Sequence, residues 1–244
     1  MQPGWMRLCV FLAALELVQP LGALPLEDAK SALARADYSS ALPVLRGLAE
    51  QGNAEAQYEL GAMYWNGHGV AKDYDEAVRW IRRAAEQGFP PAEHDLGISY
   101  RDGLGNAKDD ALAFEWNRKA AEQGFAPAEH NLASRYMGGR AVPRDETQAA
   151  QWFRKAADQG WVNSMGALGI MYAQGRGVSA STVEAYKWLT LAAEGMQGSE
   201  REKMLAARDQ LTKGITPAET EQAKQLVQSW KPIGANDHAG YLKR

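Results

Sequence analysis

The sequence predicts an all-α fold, a superhelical solenoid of helix-turn-helix repeats with helical caps at both ends. Three observations predict this fold class. A pattern of 36 residues recurs four times without a gap, each copy contains two stretches with helical apolar spacing, and less regular helical segments flank the copies. A fixed period of this length is typical of units that stack, because one unit alone cannot bury its apolar face.

The first flank, residues 24–53, is expected to cap the stack as a degenerate extra repeat. Its stretch "DYSSALPVLRGLAEQG" aligns with "DYDEAVRWIRRAAEQG" in the first full copy, and Val44 takes the position of Trp80. We therefore expect this segment to cover the apolar face that the first copy would otherwise expose.

Residues 54–197 contain the four full copies, which share columns of one residue type. Small residues, including a recurring alanine pair, allow two helix backbones to approach closely, and one tryptophan per copy is expected to fill the core beside them. The residues of the main columns are Leu60, Leu96, Leu132, Leu168, Tyr64, Tyr100, Tyr136, Tyr172, Gly67, Gly103, Gly139, Gly175, Trp80, Trp116, Trp152 and Trp188.

Each copy is predicted to form two helices joined by a glycine turn. In the first copy, Leu60 and Tyr64 share one helical face, and the segment "NGHGV" then ends the helix. A residue that can cap free backbone N–H groups precedes the second helix, and in three copies a Glu or Gln three residues later predicts a capping box. These pairs are Asp73 with Glu76, Asp145 with Gln148, and Ser181 with Glu184.

The second flank, residues 198–230, is predicted to form two helices that close the other end of the stack. Ser199 and Thr216 each precede a glutamate by three residues, and Pro217 occupies the favoured first helical position. Residues 231–244 contain proline and glycine and are predicted to form a flexible tail.

Residues 1–23 predict a cleaved signal peptide. Arg7 precedes the apolar run "LCVFLAALELV", and Ala23 supplies the small residue expected at the cleavage site. Glu16 and Leu21 depart from the usual pattern, so an uncleaved anchor and a misassigned N-terminus, with translation from Met6, are the alternatives. The run is shorter than the roughly 20 residues that span a bilayer. We expect export to the periplasm and no membrane insertion after cleavage.

The composition excludes several classes of function. Cys9 is the only cysteine and lies in the predicted signal peptide, so the mature chain would have no disulfide, zinc thiolate site or cysteine nucleophile. A net charge of −3 provides no basic field that would attract nucleic acid or an anionic membrane.

The stretch "AEAQYELGAMYWNGHGVAKDYDEAVRWIRRAAEQG" resembles the Sel1-like repeat, a relative of the tetratricopeptide repeat. The resemblance implies a right-handed superhelix of helix pairs that acts as an adaptor or receptor for other proteins. Bacterial roles in this family include signalling regulation, host-protein binding and immunity against phospholipase effectors of type VI secretion systems. Cysteine-rich members have been linked to β-lactams, but this chain lacks their cysteines, so that activity is not carried over.

In related folds the first helix of each pair lines the concave wall, and this implies a partner-binding surface. Positions 2, 5, 9 and 12 of each copy would then face the groove. The partner-binding residues predicted in this way are Glu55, Tyr58, Trp65, Pro91, His94, Ile98, Arg101, Pro127, His130, Ser134, Met137, Asn163 and Ile170.

Two repeated Glu-His pairs could suggest a chemical site, but their spacing argues against one. Glu93 precedes His94, and Glu129 precedes His130. Adjacent helical residues point about 100° apart, and neither histidine has an acid or a third ligand three or four residues later. We predict no catalytic, cofactor or metal site, and interpret the histidines as partner contacts or as packing residues.

The sequence therefore predicts a non-enzymatic, periplasmic scaffold whose partner is another protein. Trp65 is a candidate anchor, with packing against the preceding cap as the alternative. Among specific roles we favour an immunity protein that neutralises a secreted lipase effector of a type VI secretion system. The alternatives are a regulator of signalling or envelope assembly, and a binder of peptidoglycan or sugar.

Overall fold

A computed structural model describes residues 23–233, so the predicted signal peptide up to residue 22 and residues 234–244 lie outside the described part. Residues 23–233 form twelve α-helices and contain no strand. The helices are α1 (Ala23–Ala34), α2 (Tyr38–Glu50), α3 (Ala54–Asn66), α4 (Tyr74–Glu86), α5 (Pro90–Asp102), α6 (Asp110–Glu122), α7 (Ala126–Gly138), α8 (Glu146–Asp158), α9 (Val162–Gln174), α10 (Thr182–Gly195), α11 (Gly198–Leu211) and α12 (Pro217–Ser229).

The helices stack as consecutive antiparallel pairs, which confirms the all-α solenoid. Helices α3 to α10 form four helix pairs, and each pair packs against the next one along the chain. The pair α1 and α2 packs on α3, while α11 and α12 both pack on α10. Within the described residues, no helix combines the length and apolar character needed to cross a membrane.

The turn inside each repeat depends on a glycine at the end of the first helix. Gly67 has φ 74°, a left-handed conformation that glycine adopts at little cost, and its N–H donates to Met63 O at 2.9 Å. The same conformation recurs at Gly103, Gly139 and Gly175. The glycine column is therefore a helix-ending signal, as the sequence predicts.

The predicted capping boxes do not form at the repeat helices. Asp73 caps α4 by accepting from Glu76 N at 3.0 Å, but its own backbone N–H already donates to Tyr64 O at 3.0 Å. The Glu76 side chain is therefore not needed there and accepts instead from Trp80 Nε1 at 2.8 Å. Among the described helices, the reciprocal box occurs only at α12, between Thr216 and Glu219.

Close helix contacts bear out the small-residue columns, whereas the expected burial of the tryptophans was wrong for three of them. A Cβ on Gly61 would lie 2.7 Å from Ile81 Cγ1, so only glycine fits there without a shift. Trp188 is fully buried, but Trp80, Trp116 and Trp152 are half-buried. Their outer faces are covered by cations rather than by core, because each pairs with a Lys or Arg one helical turn later. The ring-centroid distances are 4.6 Å for Arg83, 3.9 Å for Lys119 and 3.8 Å for Lys155.

The C-terminal cap packs into the space beside Gly166, where the other repeats carry a large side chain. A Cβ on Gly166 would lie 2.9 Å from Met204 Sδ of α11, so the cap helix occupies the space that larger residues fill in other repeats. Trp230 packs edge-on against Trp188 at 6.3 Å. Ser199 does not cap α11, which begins at Gly198 without a side-chain cap. The first tail residues stay in contact with the stack, since Ile233 N donates to Asp158 O at 2.7 Å.

Candidate protein-binding groove

Two adjacent cavities form a groove on the face built by the first helices of the repeats. Cavity A has a volume of about 430 Å³ and is lined mainly by α3, α5 and α7. Cavity B has a volume of about 420 Å³ and lies toward the ends of α5 and α7. Both volumes fall within the roughly 300–1,000 Å³ of ligand-binding clefts. Ile98 and Asn131 line both cavities, so the two are continuous.

Most of the residues predicted to line a concave wall do line this groove. Those in cavity A are Tyr58, Trp65, His94, Ile98, Pro127 and His130. Those in cavity B are Ile98, Arg101, Ser134 and Met137. The position-based rule works in the central repeats because the first helices present the same face in each of them.

Four predicted wall residues lie elsewhere. The structure contradicts a contact role for Pro91, which is less than 2% exposed because it lies in the first turn of α5, inside the stack. Glu55 pairs with Lys30 of the N-terminal cap at 2.7 Å. Ile170 packs against the C-terminal core, and Asn163 is exposed but lines neither cavity. Pro91 fails because it is buried, whereas the other three belong to the first and last repeats, where a cap replaces a repeat as neighbour.

The glutamates of the Glu-His pairs join the two helices of their own repeat. Gln123 Nε2 donates to Glu93 Oε2 at 2.6 Å, and Gln159 Nε2 donates to Glu129 Oε2 at 2.9 Å. The first repeat makes the same link with two glutamines, Gln57 and Gln87, at 2.7 Å. Burial raises the pKa of Glu93 and raises that of Glu129 to about 7. Because a glutamine can replace the acid, the link is a structural contact.

The histidines point toward different partners from the glutamates beside them. His94 Nδ1 lies 2.9 Å from Asn117 Oδ1, and His130 Nδ1 lies 2.9 Å from Ser164 Oγ of the next repeat. Burial lowers the pKa of His94 to about 4 and also lowers the pKa of His130, so both rings are neutral at pH 7. No group of three or more metal-ligating His, Cys, Asp or Glu side chains occurs among the described residues.

Cavity A holds one carboxylate among aromatic side chains, and the sequence analysis missed it. Asp95 accepts a hydrogen bond from Tyr58 OH at 3.0 Å, and burial raises its pKa to about 6. No other hydrogen-bond donor and no cation contacts Asp95 within residues 25–233. The aromatic lining consists of Tyr58, Trp65, Phe125 and Trp161, together with the two histidine rings.

A signal for Asp95 was present in the repeat columns. Three successive copies carry a polar residue directly before the buried leucine: Glu59, Asp95 and Asn131. A polar column beside a core column predicts either a buried hydrogen-bond network or a lined cavity. The structure shows that Asp95 and Asn131 line the groove, whereas Glu59 is buried in the interior.

Cavity B carries the opposite charge. Its lining includes three arginines, Arg101, Arg135 and Arg140, and a single acidic residue, Asp110. Arg101 is paired with its neighbour Asp102 at 2.7 Å. Burial, and then the nearby charges of Arg101 and Arg140, lower the pKa of Arg135, although Asp110 opposes this effect. The groove is therefore polarised, with an acidic aromatic end and a basic end.

Comparison with known proteins identifies the repeats. The Sel1 repeat model matches residues 54–89, 90–125, 126–161 and 162–195, which is more than half of the chain. This chain belongs to the Sel1 repeat family. Sel1 repeats mediate protein-protein interaction, and proteins built from them are generally non-enzymatic binding scaffolds. No protein of curated function is significantly similar in sequence.

Solved Sel1 repeat structures share this fold. A Sel1 repeat protein from Oxalobacter formigenes is 36% identical, with a TM-score of 0.64 over 68% of this chain and 48% of that chain. A protective antigen from uropathogenic Escherichia coli strains is 28% identical, with a TM-score of 0.57 over 86% and 53%. This chain thus spans about half the length of both proteins. An immunity protein from Pseudomonas aeruginosa is 18% identical, with a TM-score of 0.52 over 91% and 88%, and it shares the fold alone.

Proposed function

We propose that this Sel1 repeat protein is a periplasmic scaffold that binds a segment of another protein in the groove formed by cavities A and B. The observation that carries the proposal is the cluster of aromatic side chains in cavity A, which includes Trp65, Trp161 and Tyr58. Tryptophan and tyrosine are the residue types that most often anchor protein interfaces when they lie in a pocket.

Rigid placement of these anchors favours binding. Trp65 is held edge-on against Tyr74 at 5.0 Å, and Tyr58 is fixed by its hydrogen bond to Asp95. His130 is fixed by Ser164 in the same way. Side chains that are ordered before binding lose little conformational entropy when a partner arrives, which increases affinity.

A matched pair of tryptophan substitutions tests the proposal. The full chain, tagged at its C-terminus, is expressed in the source bacterium as wild type, Trp65→Ala and Trp116→Ala, and partners are identified after cross-linking. Trp116 is also half-buried but lies outside the groove, so its substitution controls for loss of packing. We expect one partner to be lost with Trp65→Ala and retained with Trp116→Ala. Equal recovery of every partner with both variants would refute the groove as the binding surface.

The export step has its own test. Cleavage after Ala23 would give a mature protein that begins at Leu24. N-terminal sequencing of the protein recovered from a periplasmic fraction should therefore start at Leu24. An intact N-terminus in the cytoplasmic fraction would refute this part of the proposal.

The specific role that we propose is immunity against a secreted lipase effector of a type VI secretion system. The fold shared with an immunity protein of similar length supports this role at the level of architecture. We expect a gene for a secreted lipase effector next to this gene; coexpression of the wild-type protein should protect cells from that effector, and Trp65→Ala should abolish protection. Protection that survives Trp65→Ala would refute the role of this anchor in immunity, whereas a wild-type protein that gives no protection would favour the regulatory role or the peptidoglycan-binding role instead.

A further inference from the structure

Among residues 25–233, the carboxylate of Asp95 has no positively charged partner. Its half-buried side chain receives one neutral hydrogen bond, from Tyr58, and no Lys or Arg lines cavity A. Removing a carboxylate from water without a paired cation is costly. A ligand that places a positive charge beside this carboxylate would offset the cost of its burial, and binding would therefore be favoured.

The indole rings that line cavity A together with Asp95 favour the same kind of ligand. Trp65 and Trp161 line cavity A, and within residues 25–233 no cation lies over either ring. The face of an indole ring attracts cations, and desolvation strengthens this attraction. His94 and His130 are neutral at pH 7, so they do not compete as internal cations.

Cavity B, which adjoins cavity A, favours an anionic group of the same ligand. Arg135 is 9% exposed, and Arg101 and Arg140 also belong to the lining, where Asp110 is the one acid; Arg101 is in addition paired with Asp102, which lies outside the lining. Guanidinium groups bind carboxylates through paired, charge-assisted hydrogen bonds. Because the cavities share Ile98 and Asn131, one extended segment can reach both.

We propose that the groove selects a partner segment in which a basic side chain enters cavity A beside Asp95 and a nearby acidic side chain enters cavity B. The proposal rests on the proposed function, because it assumes that a protein segment occupies the groove, and it adds the chemistry that the groove recognises. Charge complementarity with the two cavities identifies the occupant.

A displayed peptide library tests both levels separately. The probe is a phage library of random linear peptides of about ten residues, which span roughly 33 Å when extended. The library is selected on the full-length protein, on Trp65→Ala as the background and, in parallel, on four further variants. Asp95→Asn and Arg101→Ala alter the two cavities. Asp75→Asn and Arg79→Ala are matched controls on α4 that are exposed and line neither cavity.

On the wild-type protein, we expect enriched peptides to carry Lys or Arg at a constant short spacing from Asp or Glu. Asp95→Asn should remove the preference for the basic residue, and Arg101→Ala should weaken the preference for the acidic one. In titration calorimetry, a synthetic consensus peptide should bind Asp95→Asn at least about tenfold more weakly, because a charge-assisted contact is lost. Both control variants should behave as wild type.

The two possible failures differ. Enriched peptides without the charge pair, or a consensus peptide that binds wild type and Asp95→Asn equally, would overturn the charge-pair inference and leave the groove as a protein-binding surface. Failure of wild type to enrich any peptide above the Trp65→Ala background would overturn the proposed binding mode and, with it, this inference.

Discussion

The tryptophans of the second helices and those of the groove differ in whether a Lys or Arg of the chain lies over the indole ring. Trp80, Trp116, Trp152 and Trp188 each have a Lys or Arg of the same helix over the ring, at 3.8–4.6 Å from the centroid. Trp65 and Trp161 line the same cavity as the carboxylate of Asp95, yet no cation of residues 25–233 lies over them. The first set has its cation within the chain, whereas we propose that a partner supplies the cation of the second.

The largest expected effect is on stability and comes from the second-helix set. Trp188→Ala removes a fully buried ring that packs against Trp230. The substitution also removes the cation-π contact with Arg154, whose guanidinium carbon lies 5.0 Å from the ring centroid. We expect the free energy of unfolding to fall by about 3–5 kcal/mol, measured by urea denaturation.

A smaller loss for Trp188→Ala than for Trp116→Ala would contradict the burial that separates these two residues. Partner binding per folded molecule should stay unchanged in both variants, because neither residue lines the groove.

Asp95→Asn should stabilise the fold while it weakens binding. Burial raises the pKa of Asp95 from 3.8 to about 6 in the folded protein, so the wild type loses stability as the pH rises through this interval. Asparagine keeps an acceptor for Tyr58 but carries no charge. We expect the variant to be about 1–3 kcal/mol more stable at pH 8 and the two proteins to converge below pH 4, measured by thermal unfolding across pH.

The titration of His94 is common to both proteins and cancels in this comparison. A destabilised Asp95→Asn at pH 8 would show that the carboxylate is already compensated inside the protein, and the contrast between the two sets of aromatic residues would disappear.

The smallest expected effect concerns the cations over the second-helix tryptophans. Lys155→Gln removes the ammonium group that lies 3.8 Å from the Trp152 centroid at an exposed position. We expect the free energy of unfolding to fall by about 0.5–1 kcal/mol. This loss should become only slightly smaller at high salt. Lys224→Gln, an exposed change on α12 for which no ring contact occurs in the described structure, is the control. Equal effects of both substitutions would refute the ring contact.

The repeat columns allowed much of the fold to be predicted, because identical spacing places equivalent residues in equivalent contacts. The glycine that ends each first helix and the aspartates that cap α4, α6 and α8 follow from local chemistry. Much of the groove followed as well, since Tyr58, His94 and His130 occupy one column. The capping boxes failed for a non-local reason: the carbonyl of Tyr64, nine residues earlier, had already taken the N–H that Glu76 was expected to satisfy.

The sequence by itself determined which residues are equivalent, because a period of 36 residues imposes the same backbone path on each copy. Only the tertiary structure decided what covers each equivalent residue, because coverage depends on the neighbouring unit. His130 meets Ser164 of the next repeat, whereas Gly166 meets Met204 of the cap. The same dependence places Asp95 among aromatic rings with no cation of the described chain beside it, and it makes a polar column into a candidate binding site.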